Sequence, residues 1–253
     1  MARQTLYKLP HDQTEPWPPI ERQGPMSNEP AREVFREGCA QIALALQSQG
    51  FKYFKGKQCC TREHCGFSNE IWFQSSRYNS SGWHVQLSMH AAVSSKRLQA
   101  WRVERLPNYV PTAHVAGGMV HLLGNKFALV QWELADPEDR EATVLDALSF
   151  INSEVMPYFV LFEDPASLIQ TLTVEALPAL ELVASVEFAY CYAGRDQAQA
   201  VLSRFVIERP DLAEAIDQAR AREGDDYLMR LGSYADQVIF LERQYGLSAK
   251  SNG

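Results

Sequence analysis

A chain of 253 residues, 46% of them hydrophobic and 22% charged, can bury the core of one large domain or two smaller ones, which argues against a disordered chain. No apolar run reaches the roughly 18 residues of a membrane-spanning helix, and no basic-then-apolar signal peptide opens the sequence, so we expect a cytoplasmic protein without a membrane partner. Five cysteines, an odd number in a chain of this length, predict reduced thiols and not a disulfide framework.

The net charge of −7 is unevenly distributed along the chain. Residues 1–135 hold 15 Lys and Arg against 10 Asp and Glu, whereas residues 136–253 hold 9 against 21, so the two parts carry net charges of +5 and −12. An acidic half repels nucleic acid and attracts basic surfaces. The charge therefore predicts a basic protein partner and no direct contact with nucleic acid.

The first 50 residues predict an arm followed by a helix. Residues 1–27 contain five prolines and little apolar periodicity, which is typical of a flexible, extended segment. Ser27 or Asn28 is the predicted cap of a helix with Glu29 and Pro30 in its first turn, and Gly50 supplies its stop. The apolar residues of this helix recur on one face, as expected for packing on a core: Val34, Phe35, Cys39, Ile42 and Leu46.

After Gly50 the spacing of the apolar residues changes from that of a helix to that of a strand. A strand is predicted to begin at Phe51, and residues 57–65 and 69–78 read as a hairpin with Gly66 near its turn. Another strand is predicted where four apolar residues alternate with polar ones: Trp83, Val85, Leu87 and Met89. Met119–Leu123 and Phe127–Trp132 are the last two predicted strands, joined at Gly124-Asn125. Short connections indicate an antiparallel sheet with the first helix packed on one face.

From Asp136 onward the pattern becomes helical. Asp136 as cap and Pro137 at the first helical position predict a helix start, and Asp164 and Pro165 predict a second one in the same way. Further helices are predicted from the next cap and start residues along the chain: Pro178, with its end at Gly194, then Asp196, Pro210, and Asp225 or Asp226, the last running toward Gly246. The predicted fold is α+β: a flexible arm (1–27), an antiparallel sheet domain with a packed helix (28–135), and an acidic helical domain (136–253).

Residues 33–160 resemble a bacterial family of unknown function. The resemblance rests on a capped helix, then Gly50-Phe51-Lys52, then the strand Trp72-Phe73-Gln74-Ser75-Ser76. It implies no active site, because the shared residues are structural. It does imply a role, since families of this kind often lie beside secreted toxins, such as those of contractile secretion systems, and act as cytoplasmic immunity proteins.

A second resemblance lies in the helical half. The run Ala189-Tyr190-Cys191-Tyr192-Ala193-Gly194, followed by Ala198, Ala200 and Pro210, is similar to one tetratricopeptide-type helical hairpin, in which small residues allow close helix contact. Only one copy is visible in the sequence, whereas a stable array needs about three. We favour an ordinary antiparallel helix pair as the explanation of this pattern.

The run Cys59-Cys60-Thr61-Arg62-Glu63-His64-Cys65 is the one sequence cluster that resembles a metal site. Neighbouring strand residues point to opposite faces, and no second cysteine pair follows at zinc-site spacing, so we expect no metal and no cofactor. An enzyme using Cys59, Cys60 or Cys65 with a histidine is an alternative, but no catalytic motif accompanies it, and we expect no enzyme activity. The histidines His84, His90, His114 and His121 read as polar positions on a half-solvated sheet.

A small basic surface is also conceivable on the first strands. Lys52, Lys55, Lys57 and Arg62 are interleaved with aromatic residues, a pattern that suits contact with nucleic acid. The net charge opposes this, and alternating lysines also protect the exposed edge of a sheet. We favour the second interpretation.

The acidic residues remain as the predicted partner surface: Glu133, Asp136, Glu138, Asp139, Glu141, Glu223, Asp225 and Asp226. Helix capping accounts for part of each run, but not for a half-chain net charge of −12. A solvated bundle kept soluble by its charge explains these residues equally well. The family resemblance, together with the absence of catalytic motifs and this acidic half, predicts an immunity protein that neutralises a basic secreted toxin, such as a nuclease, by occlusion. The alternative is a scaffold whose helical hairpin binds a peptide or protein without neutralising a toxin. The oligomeric state is not predicted.

Overall fold

The computed structural model describes residues 27–106, 112–123, 129–221 and 232–249. Within these ranges an antiparallel sheet belongs to the N-terminal half, and most of the helices belong to the C-terminal half. This arrangement confirms the predicted α+β class. Residues 1–26, and with them nearly all of the predicted arm, lie outside the described residues.

The sheet has six strands, five of them in sequential order. Its strands are β1 (Lys52–Phe54), β2 (Cys59–His64), β3 (Phe67–Ser75), β4 (Gln86–Ser95), β5 (His114–Met119) and β6 (Trp132–Glu133). The spatial order is β1-β2-β3-β4-β5, and β6 pairs with the start of β4. Every pairing is antiparallel, and the short connections after β1 and β2 require this arrangement.

The predicted hairpin is present and has a two-residue turn. His64 of β2 pairs with Phe67 of β3, so Cys65 and Gly66 alone make the connection. Both have left-handed backbone conformations, with φ of 50° and 83°. This is the geometry that matches the right-handed twist of the flanking strands, and Gly66 adopts it without strain.

The helices are α1 (Ala31–Leu46), α2 (Lys96–Arg105), α3 (Arg140–Phe150), α4 (Met156–Val160), α5 (Pro165–Leu172), α6 (Leu182–Ala193), α7 (Arg195–Glu208), α8 (Ala213–Ala221) and α9 (Tyr234–Tyr245). A turn of π-helix, Ile151–Val155, joins α3 to α4. All five residues of the predicted α1 stripe are buried, and Asp164 caps α5 through hydrogen bonds from the Ala166 and Ser167 amides. Both predictions are confirmed.

Several predicted helix starts are wrong by a few residues, because the Asp or Pro that marks the predicted start lies in a turn before the helix. Asp136 Oδ1 accepts a hydrogen bond from the Glu138 amide at 3.0 Å, and α3 begins only at Arg140. Pro178 likewise precedes α6, which begins at Leu182. Two more helices begin just after the predicted proline: α1 begins after Pro30, and Pro210 opens a 3-10 turn before α8. Ser233 caps α9. The predicted caps Asp225 and Asp226 lie outside the described residues.

Two strand predictions also need correction. Trp83 lies in a bend before β4 and is 46% exposed, although Val85, Leu87 and Met89 are fully buried as the alternation predicts. The predicted strand Met119–Leu123 is the end of β5 followed by a 3-10 turn. Of the predicted strand Phe127–Trp132, the structure describes residues 129–132, of which only Trp132 pairs in the sheet; residues 124–128 lie outside the described residues.

Buried residues of the sheet and of the helices form one hydrophobic cluster, which continues across residue 136. At its centre Phe67 of β3 contacts Phe162 and Phe188, with ring centroids 6.0 and 6.2 Å apart. Since aromatic rings contribute much buried area, these contacts are a main support of the sheet on the helices.

Helices α1 and α3 lie side by side in the same direction. Arg140, the first residue of α3, binds Glu29 just before α1 at 2.7 Å, and Gln49 after α1 binds Asn152 after α3 at 2.9 Å. The starts of the two helices therefore lie together, as do their ends.

In the described part of the chain no single helix is long and apolar enough to cross a membrane. Arg140–Val160 and Pro165–Leu172 reach the required length and composition only as a pair bent by 91°. Buried residues throughout this pair, among them Val144, Ile151 and Phe159, belong to the hydrophobic cluster.

Candidate functional site

Glu133, the first of the predicted partner residues, is engaged within the protein. Its Oε1 accepts hydrogen bonds from the Val85 amide at 2.6 Å and the Ala135 amide at 3.0 Å, and its Oε2 lies against His84 Nδ1. Three internal partners give this carboxylate a structural role, because they tie β6 to the chain just before β4.

The next four acidic residues surround the start of α3. Asp136 is half-buried and closes the turn before the helix. Glu138, Asp139 and Glu141 are exposed, and Asp139 precedes α3 without a side-chain capping bond. Among the described residues no ion pair joins these three carboxylates to a base. We call Glu138, Asp139 and Glu141 the acidic edge.

In the described part of the chain, four arginines of the helical half pair with carboxylates outside the acidic edge. The described pairs are Arg140 with Glu29, Arg204 with Glu208, Arg209 with Asp211, and Arg220 with Asp217 and Glu242. Among the described residues, these four arginines therefore form no ion pair with the acidic edge. Glu223, Asp225 and Asp226, the other predicted acidic run, lie outside the described residues.

Helix α1 adds little net charge beside the acidic edge. Its first turns carry exposed Glu33 and Glu37, but also Arg32 and Arg36. The Glu29 carboxylate is paired with Arg140, whose guanidinium lowers the pKa of Glu29 below its usual value. The local acidic excess consequently comes from the residues at the start of α3.

A cluster of buried charged residues lies between α2, α6 and α9, near the start of β5. The sequence does not predict it. Arg102 of α2 and Glu187 of α6 form an ion pair at 2.7 Å, with side chains 8% and 4% exposed. Tyr245 donates a hydrogen bond to Glu187 at 2.6 Å, and Arg102 also donates to the Thr112 and His114 carbonyls at 2.8 and 2.7 Å. A cavity of about 190 Å³ adjoins the pair. Because these partners use most of the guanidinium donors, the cluster acts as a structural brace between α2, α6 and α9.

The four histidines lie in different surroundings, and His121 is buried in the 3-10 turn after β5. His84 lies just before β4, where it forms an isolated β-bridge with Ser80 and binds Glu133. His90 lies on the outer face of the sheet, opposite Trp72, and binds Gln74 Oε1 at 2.8 Å. Partial burial, together with neighbouring His121, lowers the pKa of His90. The lowered pKa favours the neutral form of His90 near pH 7.

All five cysteines are free thiols, but they differ sharply in environment. Cys39 and Cys60 lie in the hydrophobic core, and Cys59 is buried on the opposite side of β2 from Cys60. Burial raises the pKa of Cys59 and of Cys60 to about 12. Since the thiolate is the nucleophile, neither residue suits the cysteine-enzyme alternative.

Cys65 is exposed in the β2–β3 turn, beside two other residues that can bind metals. A ligand atom of His64, the Cys65 Sγ and a carboxylate oxygen of Glu163 all lie within 4.8 Å of one another. Glu163 belongs to the turn between α4 and α5, so the sequence run that suggests His64 and Cys65 gives no sign of it.

We expect one fast-reacting thiol in the native protein. With a disulfide reagent at pH 8, Cys65 should react first and Cys191, half-buried and with a raised pKa, more slowly, whereas Cys39, Cys59 and Cys60 should react only on unfolding. Time-resolved labelling of the wild type and of Cys65→Ser measures this. A fast phase that survives in Cys65→Ser would contradict the assignment.

The basic residues of the first strands do not all lie on one face of the sheet. Lys52 pairs with Thr61 and shares its face, so Arg62 points to the other side. There its guanidinium lies 5.0 Å from the Phe51 ring centroid and donates a hydrogen bond to the Gln49 carbonyl. Arg62 is therefore not part of a continuous basic surface with the lysines.

The described geometry offers an exposed acidic surface, the acidic edge, and a compact group of metal-binding side chains, His64, Cys65 and Glu163. Comparison of the chain with protein-family models, with curated proteins and with solved structures finds no match, so its resemblance to a family of immunity proteins stays a prediction.

Proposed function

We propose that the protein is a cytoplasmic immunity protein that binds a basic secreted toxin through the acidic edge and neutralises it by occlusion. The observation that carries the proposal is the exposure of Glu138, Asp139 and Glu141 without a basic partner, in a half whose described arginines are largely paired. The resemblance of residues 33–160 supplies the kind of partner.

Electrostatics explains what such a surface contributes. Carboxylates at the rim of an interface mainly raise the rate of association with a basic partner, because they steer the two molecules before contact. The final affinity comes from a smaller number of buried contacts. Exposed apolar side chains such as Leu145, 59% exposed on α3, provide the kind of surface that such contacts need.

The first test asks whether the partner is a toxin. The product of the neighbouring reading frame, expressed with this protein, should co-purify with it, and cells that make the toxin should survive only when this protein is present. Failure of both co-purification and protection would contradict the proposal. Co-purification without protection would favour the scaffold alternative.

Neutralising the acidic edge should weaken partner association. The variant Glu138→Gln/Asp139→Asn/Glu141→Gln is expected to lower the association rate about tenfold at low salt, because it removes steering charge. The matched control Glu104→Gln/Glu175→Gln/Glu214→Gln makes the same change in net charge at three other exposed positions. It should stay within about twofold of the wild type.

The scaffold alternative gives the opposite pattern. A peptide bound on the α6–α7 hairpin would have an affinity insensitive to salt, and the acidic edge would be dispensable. The packing of α6 opposes such binding, because much of the helix is buried, including Val186, Phe188 and Ala189. Little of α6 is left to receive a peptide.

A further inference from the structure

We propose that His64, Cys65 and Glu163 bind one zinc ion, with water at the fourth position. The three residues bring together an imidazole, a thiol and a carboxylate, and their ligand atoms lie within 4.8 Å of one another. This inference is independent of the acidic edge and of the proposed partner.

The distances fit a tetrahedral site after a small adjustment. Zinc binds nitrogen and oxygen at about 2.0–2.2 Å and sulfur at about 2.3 Å, so two ligand atoms of one tetrahedral site lie roughly 3.3–3.7 Å apart. His64 Nε2 and Glu163 Oε1 are already 3.2 Å apart. The Cys65 sulfur has to approach by no more than about 1 Å, which a side-chain rotation in an exposed turn supplies.

Buried neighbours on both sides hold the ligands in place. Phe67, two residues after Cys65, and Phe162, directly before Glu163, are 2% and 1% exposed and contact each other. Asp164, directly after Glu163, caps α5. The hairpin turn and the α4–α5 turn are therefore fixed relative to each other by the core, so the site needs little ordering when an ion binds.

The donor set selects the ion. Mg²⁺ and Ca²⁺ prefer oxygen ligands only, whereas a thiolate, an imidazole and a carboxylate together suit zinc. The His64 and Glu163 side chains are 46% and 32% exposed, so an ion enters directly from solvent and keeps a water ligand. Three protein ligands with an open position are the arrangement of zinc sites that retain bound water.

The conformation of Cys65 agrees with a role beyond the turn. Its φ of 50° is the left-handed conformation for which Asn, Asp or Gly are the usual choices in a two-residue hairpin turn. A cysteine there costs about 1 kcal/mol of backbone strain and adds no buried contact, being exposed. Metal ligation gives this residue type a reason to occupy the position.

Zinc titration of the metal-free full-length chain tests the site. Calorimetry should give one ion per chain for the wild type, with affinity at least about tenfold lower in Cys65→Ser, His64→Ala and Glu163→Gln, since each loses a ligand. Cys191→Ser, which removes a half-buried thiol elsewhere, should bind as the wild type does. Co²⁺ should produce a thiolate-to-metal absorption band in the wild type that Cys65→Ser lacks.

Thermal unfolding separates lost binding from lost folding. Zinc should raise the melting temperature of the wild type, because the ion joins the hairpin to the helices in the folded state alone. The metal-free variants should melt close to the metal-free wild type, since His64 and Cys65 are exposed and Glu163 is only half-buried. Absence of stoichiometric zinc binding by the wild type, or equal binding by Cys65→Ser, would overturn the proposal.

Discussion

The Glu187→Ala variant is expected to be about 3–5 kcal/mol less stable than the wild type, because it leaves the Arg102 guanidinium buried without its carboxylate. Tyr245 loses its hydrogen-bond acceptor at the same time. For a chain of this size the loss corresponds to a fall of roughly 6–20 °C in melting temperature, measured by calorimetry or circular dichroism.

Two further variants separate the ion pair from other effects at this site. Glu181→Ala removes an exposed carboxylate just before the same helix and should change stability by less than about 1 kcal/mol. Arg102→Met combined with Glu187→Leu removes both charges and should recover part of the stability lost in Glu187→Ala. Equal stability of Glu187→Ala and Glu181→Ala would contradict the assignment of a structural brace.

The Gly117→Ala variant should lose roughly 2–6 kcal/mol, whereas Gly118→Ala should stay within about 1 kcal/mol of the wild type. Gly117 has a φ of 150°, and a Cβ there would lie against the Ala91 carbonyl oxygen and 2.7 Å from the Ala92 Cα. The backbone strain and the clash each cost roughly 1–3 kcal/mol, and backbone atoms of a central strand cannot move aside.

Gly118 is a close control because it lies next in the same strand. It has no left-handed backbone, and an added Cβ would come no nearer than 3.9 Å to Ala179 or Leu122. Chemical denaturation of the two variants measures the difference. Similar stabilities would mean that β5 does not approach β4 as closely as described.

Local signals in the sequence account for much of the fold. The α1 stripe, the hairpin around Gly66 and the Asp164-Pro165 start of α5 depend on neighbours within a few residues, and all three are present. Turn chemistry explains the misplaced starts. Asp136 and Pro178 prefer turns as well as first helical turns, and only packing decides which one forms.

Contacts between distant residues account for what the sequence does not show. Glu133 belongs to an acidic run, yet its carboxylate is used by His84 and by the Val85 amide. Glu163 pairs with His64, and Glu187 pairs with Arg102, although the partners are far apart in the sequence. Residue type and spacing predict that carboxylates are exposed, but they do not show which of them form ion pairs or hydrogen bonds within the folded protein.

The association rate of this protein with its partner toxin, measured between about 50 and 300 mM salt, tests the acidic edge most directly. We predict that Glu138→Gln/Asp139→Asn/Glu141→Gln associates about tenfold more slowly than the wild type at low salt, and that the difference shrinks as salt screens the charges. The Glu104→Gln/Glu175→Gln/Glu214→Gln control should follow the wild type. Equal rates for the wild type and the acidic-edge variant at every salt concentration would contradict the account.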